Sequence, residues 1–133
     1  MEKTTTFTGK RKTAVAKAML KEGTGKILIN KVSHLHLNHV RKMMIEEPIR
    51  IAKEHGIRDF DISITVHGGG IESQIEASRL AIARAIIGTT KSETLKKIFQ
   101  SYDKNLLIAD IRRKEARKPN DSKARAKRQK SYR

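Results

Sequence analysis

The amino-acid sequence predicts an α+β fold in two layers: one small sheet with helices packed on one of its faces, and an extended basic arm beyond it. Three observations lead there. Residues 59–66 alternate apolar with polar side chains, the period-two pattern of a strand buried on one side. Residues 33–55, 71–87 and 92–101 instead repeat apolar side chains every three or four positions, so each has one apolar side that a sheet can cover. After Ile111 the chain has no Ile, Leu, Val, Phe or Met. Residues 1–111 are therefore read as one globular domain and residues 112–133 as an arm.

Taken in order, Thr4 to Phe7 favours a strand, and Gly9-Lys10-Arg11-Lys12 makes a basic turn out of it. Residues 13–20 return as a second strand, although their alanine content suits a helix equally well. Gly23-Thr24-Gly25 closes that run, and Lys26 to Asn30 reads as a short strand after a hairpin. Ser33 is placed to cap a helix whose apolar side holds Leu35, Leu37, Val40, Met43, Met44 and Ile45. Pro48 cannot donate to a helical ladder, so one helix is expected to end near Glu46. A second should run from Pro48 to His55, stopped by Gly56.

Phe60, Ile62, Ile64 and Val66 line the buried side of the next strand, and a Gly68-Gly69-Gly70 loop leads into a helix from Ile71 to Ile87. Its Ile71, Ile75, Leu80, Ile82 and Ile86 form one stripe. Ala77, Ala81 and Ala85 form a second, small-residue stripe that allows close approach to a sheet, and Gly88 is expected to end the helix. Ser92 caps a last helix to Ser101 that buries Leu95, Ile98 and Phe99. Leu106 to Ala109 reads as a final strand.

Charge points to a partner. Thirty Lys and Arg stand against 14 Asp and Glu, a net charge of +16 over 133 residues. The arm holds eleven of those cations: Arg112, Arg113, Lys114, Arg117, Lys118, Lys123, Arg125, Lys127, Arg128, Lys130 and Arg133. Only Glu115 and Asp121 oppose them. Such a segment cannot bury enough apolar surface to offset the roughly 1–2 kcal/mol per residue that backbone ordering costs. It is expected to be extended and mobile in free solution and to take shape against a polyanion, for which nucleic acid is the obvious candidate. Lys130-Ser131-Tyr132-Arg133 ends it with a ring between cations, so a base can stack on Tyr132 while phosphates pair with its neighbours.

Other classes are less favoured. The chain has no cysteine, which removes disulfides, thiolate catalysis and cysteine zinc sites, and fits an intracellular protein. Met1 to Thr6 has no apolar core of the signal-peptide kind, and no run approaches the ~20 apolar residues that span a bilayer. The arm lacks the bulky apolar face of a membrane-surface helix. A cytoplasmic protein with no membrane partner is expected.

Lys10, Arg11 and Lys12 would repel one another on a bare surface, so their clustering favours a phosphate partner over a merely solvated hairpin tip. The Gly68-Gly70 loop has two readings, both open. It is either a tight strand-to-helix turn or a backbone site for phosphate, with the unpaired N–H groups of the helix start and with Ser73, Gln74 and Arg79 nearby. It is not a nucleotide fingerprint, for neither a Gly-Lys-Ser/Thr nor a G-x-G-x-x-G pattern occurs. His34, His36 and His39 have no cysteine beside them and no acid before Glu46, and read as surface or RNA-facing side chains rather than metal ligands. Asp59 and Asp61 share a strand face that reads as simply solvated. No catalytic residue, metal, cofactor or small-molecule substrate is expected.

Three stretches carry a resemblance. Gly9-Lys10-Arg11-Lys12-Thr13-Ala14-Val15-Ala16-Lys17, then Gly68-Gly69-Gly70-Ile71-Glu72-Ser73-Gln74-Ile75-Glu76-Ala77-Ser78-Arg79-Leu80-Ala81-Ile82-Ala83-Arg84-Ala85, then Lys130-Ser131-Tyr132-Arg133 resemble, in that order, the family of the ninth protein of the small ribosomal subunit in its archaeal and eukaryotic form. The resemblance spans the whole chain. It implies the ribosomal protein S5 domain 2-like fold, whose left-handed βαβ crossover breaks the usual right-handed rule. Some small-molecule kinases share that fold, but their serine-containing ATP motif has no counterpart here, so kinship lends an enzyme little support.

The resemblance further implies a structural constituent of the small-subunit head, bound to small-subunit rRNA and beside neighbouring head proteins. Contacts to rRNA then fall on Lys10, Arg11, Lys12, Gly68, Gly69, Gly70, Gln74, Arg79, Arg112, Arg113, Arg117, Lys118, Lys123, Arg125, Lys127 and Arg128. The arm threads toward the peptidyl-site tRNA, whose anticodon stem-loop falls to Lys130, Ser131, Tyr132 and Arg133. The chain departs from the family where Ile111 stands in place of a proline and residues 116–121 in place of a glycine hinge. Two rival functions are a non-ribosomal basic nucleic-acid-binding protein, which would travel with the nucleoid, and a phosphotransferase using the Gly68-Gly70 loop, which must bind ATP saturably.

Overall fold

A computed structural model describes residues 5–133; the expected strand position at Thr4 lies outside the described residues. In chain order the elements are β1 (Thr6–Arg11), β2 (Ala14–Glu22), β3 (Ile27–Ile29), β4 (Val32–Ser33), α1 (His39–Glu54), β5 (Phe60–His67), α2 (Ile71–Thr90) and α3 (Glu93–Tyr102). They form an α+β fold on a single mixed sheet of order β1-β2-β5-β3-β4. β2 runs antiparallel to both β1 and β5, while β3 runs antiparallel to β4 and parallel to β5. The parallel neighbours β3 and β5 are joined through α1, a βαβ unit.

Alternation decides which way the sheet faces. In β5, Ile62, Ile64 and Val66 are buried while Ser63 and Thr65 are exposed, and in β2, Ala14, Ala16 and Ala18 are buried. α2 covers these alanines with its own Ala77, Ala81 and Ala85, all fully buried. Small side chains on both sides let backbones approach. At Gly9 in β1 an added Cβ would lie 2.7 Å from the Ala81 backbone nitrogen and closer still to the Ala77 carbonyl oxygen, so strand and helix meet there with no room for a side chain. α1 adds Ile45, Pro48 and Ala52 to the core, and α3 adds Leu95 and Phe99.

Several element boundaries differ from the sequence reading, each for a packing reason. Gly9, Lys10 and Arg11 belong to β1 rather than to the turn, which is left to Lys12 and Thr13, because Gly9 is needed against α2. Ser33 caps a short 3-10 turn, His34–His36, its hydroxyl accepting from the Leu35 N–H at 3.4 Å, and α1 begins only at His39. That helix continues through Pro48. The lost donor is offset by a proline ring buried on the same stripe as Ile45 and Ala52.

α2 likewise continues through Gly88, beneath the Phe7 ring, where a side chain would collide with that ring. The helix closes at Lys91 in the left-handed region (φ 50°). Ile71, placed in the buried stripe by its spacing, is 58% exposed. Leu106 ends a 3-10 turn (Lys104–Leu106) instead of starting a strand; it is fully buried as a single anchor, while Ile108 is exposed. Among the described residues, no helix is long and apolar enough to cross a membrane.

Candidate nucleic-acid interface

Strand register gathers motifs that the sequence keeps apart. Pairing of Val15 with His67 sets the start of β2 beside the end of β5, so the Lys12-Thr13 turn adjoins the Gly68-Gly70 loop. Lys12, Gly68 and Gly69 all have positive φ, 51°, 77° and 65°. A Cβ at Gly68 would lie 2.5 Å from the Thr13 carbonyl oxygen, and one at Gly69 3.1 Å from the Ala14 nitrogen. These two glycines therefore have a structural reason, the close crossing of loop and turn. Gly70 has none, since a Cβ there would meet nothing within 4 Å. It is the N-cap of α2 and makes no side-chain capping bond, which leaves the helix-start N–H groups without that partner. Gln74 reaches back and donates from Nε2 to the Gly68 oxygen at 3.1 Å, fixing the loop.

The basic side chains divide into two kinds. Lys10 and Lys12 are exposed. Arg11 and Arg79 are mostly covered and engaged by carboxylates: Arg11 Nε lies 2.5 Å from Glu76 and the same guanidinium pairs with Asp110, while Arg79 lies 2.5 Å from Glu47 and 3.1 Å from Asp103. A cavity of about 190 Å³ separates these groups, with Lys10, Asn105 and Arg112 also on its wall.

Two residues overlooked in the sequence hold the segment that follows the last 3-10 turn. Arg84 donates from Nε to the Leu107 oxygen at 2.9 Å and from Nη1 to the Thr8 oxygen at 2.8 Å, joining α2, the edge of β1 and the outgoing segment. Asp110 accepts from the Arg112 side chain (2.9 Å from Nε, 2.6 Å from Nη2) and from the Arg112 backbone N–H at 2.9 Å, besides its pairing with Arg11. Those bonds from Arg112 hold the Asp110 carboxyl well below the usual carboxylate range, and Asp110 in turn raises the Arg112 guanidinium. Asp110 had a sequence signal, being the only acid between Asp103 and Glu115. Arg84 had a weaker one, a lone cation in an otherwise apolar stretch of helix.

Beyond this clamp, residues 112–133 contain neither helix nor strand and are almost wholly exposed. Pro119 and Asn120 (φ 67°) make a turn closed by the Asp121 N–H donating to the Lys118 oxygen at 3.4 Å, the proline-then-positive-φ signature of a type II turn. Both acids of the arm are occupied within it, Glu115 by Arg125 at 3.0 Å and Asp121 by the Arg128 N–H at 3.2 Å. Arg113, Arg117, Lys118, Lys123, Lys127 and the terminal Lys130, Ser131, Tyr132 and Arg133 are exposed, Tyr132 by 88%.

Two polar groups do more than their sequence context indicated. His34 is buried, not at the surface: Nδ1 lies 3.3 Å from the Ile27 oxygen and Nε2 3.1 Å from Glu46. Burial pulls the Glu46 carboxyl upward, but bonds from Arg50 and His34 and the charges of Lys42 and Arg50 outweigh it and hold the group below its ordinary value. Asp61, expected to be merely solvated, accepts from the Lys26 and Thr24 N–H groups, each at 2.9 Å, and so ties down the β2–β3 loop; the Lys26 bond chiefly lowers its carboxyl. Among the described residues no three His, Cys, Asp or Glu side chains cluster as metal ligands.

Comparison with known proteins gives consistent matches. The model of the family described as Ribosomal protein S9/S16 matches residues 9–133. A protein of Methanococcus maripaludis strain C5 named "Small ribosomal subunit protein uS9" is 50% identical over 129 residues, covering 94% of this chain and 95% of its own length. One of the same name from Picrophilus torridus is 45% identical over 127 residues, covering 94% of each chain.

Proposed function

The chain belongs to the ribosomal protein S9/S16 family, and on that premise we propose that it grips small-subunit rRNA through one end of its domain and reaches the peptidyl-site tRNA with the tip of its arm. Membership makes it a structural, non-enzymatic constituent of the small ribosomal subunit, and hence of the cytoplasm. In the proposed arrangement residues 1–111 anchor and residues 112–133 reach, and the β3–α1–β5 unit crosses over left-handed as in the family's fold. Lys10, Lys12, the Gly68-Gly70 loop with Gln74, and Arg112, Arg113, Arg117, Lys118, Lys123, Arg125, Lys127 and Arg128 meet rRNA. Arg11 and Arg79 stand behind that surface, their charge shared with carboxylates. Lys130, Ser131, Tyr132 and Arg133 meet the anticodon stem-loop.

The observation that supports this reading most is the arm itself: eleven cations on an exposed segment without helix or strand, whose own acids are already bonded. Neutralising phosphates releases counterions, and an aromatic tip adds stacking that every base can accept. Small subunits carrying a chain that ends at Gln129 should bind peptidyl-site tRNA more weakly and hold reading frame less faithfully, with the domain still folded. Unchanged tRNA retention and frame maintenance would remove the tip's role.

A further inference from the structure

One face of the molecule is apolar rather than basic. Between α1 and α3 runs a groove of about 560 Å³ floored by Val40, Met43, Met44, Ile51, Ile98 and Tyr102. Val40 is 63% exposed, Met43 45% and Tyr102 59%, three large apolar side chains left open to water on one face. Its charged lining is Glu47, Glu54 and Arg50; Arg50 is already bonded to Glu46 at 2.7 Å and Glu47 to Arg79 at 2.5 Å, which leaves Glu54, among the described residues, as the unpaired charge. On a chain of +16 this groove therefore lacks unpaired Lys or Arg in its lining and offers one carboxylate to a cation. Its rim is also set in place beforehand: Tyr102 donates its hydroxyl to Glu47 at 2.7 Å, and Arg79 ties Glu47 to Asp103. A rigid aromatic beside two adaptable methionines is the composition of a polypeptide-binding surface.

We propose that the α1–α3 groove docks a basic polypeptide segment of a neighbouring small-subunit protein, its apolar side chains on the Met43–Ile98 floor and its Lys or Arg at Glu54. The inference rests on the ribosomal reading above, and the two can fail separately. Full chains carrying a photoreactive benzoylphenylalanine at Met43 or at Ile98 would be expressed in cells and small subunits purified. Absence of the chain from those subunits would overturn the ribosomal reading and this proposal with it. On subunits that contain it, irradiation should join the probe to a peptide of another subunit protein rich in Lys or Arg with apolar residues between. A crosslink to rRNA, to an acidic segment, or to nothing at either position overturns the proposal. Glu54→Lys, exposed and outside the core, should lower the yield from the Ile98 probe by at least ~fivefold, the scale of losing an interfacial charge pair. An unchanged yield would remove the electrostatic half of the claim, and an acidic partner would raise it.

Discussion

At Gly9 a single hydrogen decides how near β1 can come to α2. Ala there would put a methyl against the Ala77 oxygen and Ala81 nitrogen, backbone atoms that cannot swing aside. Gly9→Ala should cost about 1–3 kcal/mol or more, the usual toll of overpacking, read as a lower urea midpoint. Gly70 is the matched control: its φ of −91° suits any residue and nothing lies within 4 Å of an added Cβ, so Gly70→Ala should cost no more than about 1 kcal/mol, the loss of a better N-cap residue. Equal losses at the two sites would mean that the strand–helix contact is looser than drawn. The sequence presents both glycines inside motifs that look functional. Only the facing stripe of Ala77, Ala81 and Ala85 hinted that Gly9 served packing, and it could not say which strand would lie against it.

Elements were legible wherever their signal is local. The alternation of Ile62, Ile64 and Val66 and the Ser92 cap of α3 survive intact, because a period of two or a hydroxyl at a helix start depends on neighbours in the chain. Boundaries failed where distant contacts overrule local preference, as with Pro48 buried under the core and Gly88 beneath Phe7. The β2–β3 loop is of the second kind, held by Asp61 from another strand. The carboxyls of Asp61, Glu46 and Asp110 all lie below their ordinary values in the folded chain. A lowered folded value means stability that is present above the unfolded carboxylate range of about pH 4 and lost as pH falls through the folded values. The urea midpoint should thus hold from neutral pH to about pH 5 and decline below it. Asp61→Asn should be less stable than the native chain near neutrality and converge with it as pH falls through the lowered folded value of Asp61, below which both carry a neutral side chain at that position. A gap that persisted in acid would show that Asp61 acts through its shape rather than its charge.

For the molecule as a whole, the arm's charge was legible at once, whereas the meeting of the basic turn, the glycine loop and the start of the arm at one end was not, since it follows from the Val15–His67 register and from the Arg84 and Asp110 clamp. That geometry separates what the arm's cations do from what its fixed exit does. Many domain cations are paired with acids, among them Arg11, Arg41, Arg50, Lys53 and Arg79, so the arm holds much of the charge still free to displace counterions. If the arm neutralises ~6–10 phosphates, rRNA affinity should fall ~10³–10⁵-fold between about 50 and 200 mM salt, and removing residues 112–133 should flatten log affinity against log salt by several units. Asp110→Asn keeps every cation while releasing the clamp from Arg11 and Arg112. Its salt slope should therefore be at least as steep as the native chain's, while at the same slope an arm leaving in many directions has more freedom to lose on binding and lowers the affinity by a few-fold. Proteolysis at Arg112 and Arg113 should quicken in that variant without the arm, once severed, taking the domain's fold with it. A truncated chain as salt-sensitive as the full one would instead place the phosphate contacts on Lys10, Lys12 and the rest of the domain.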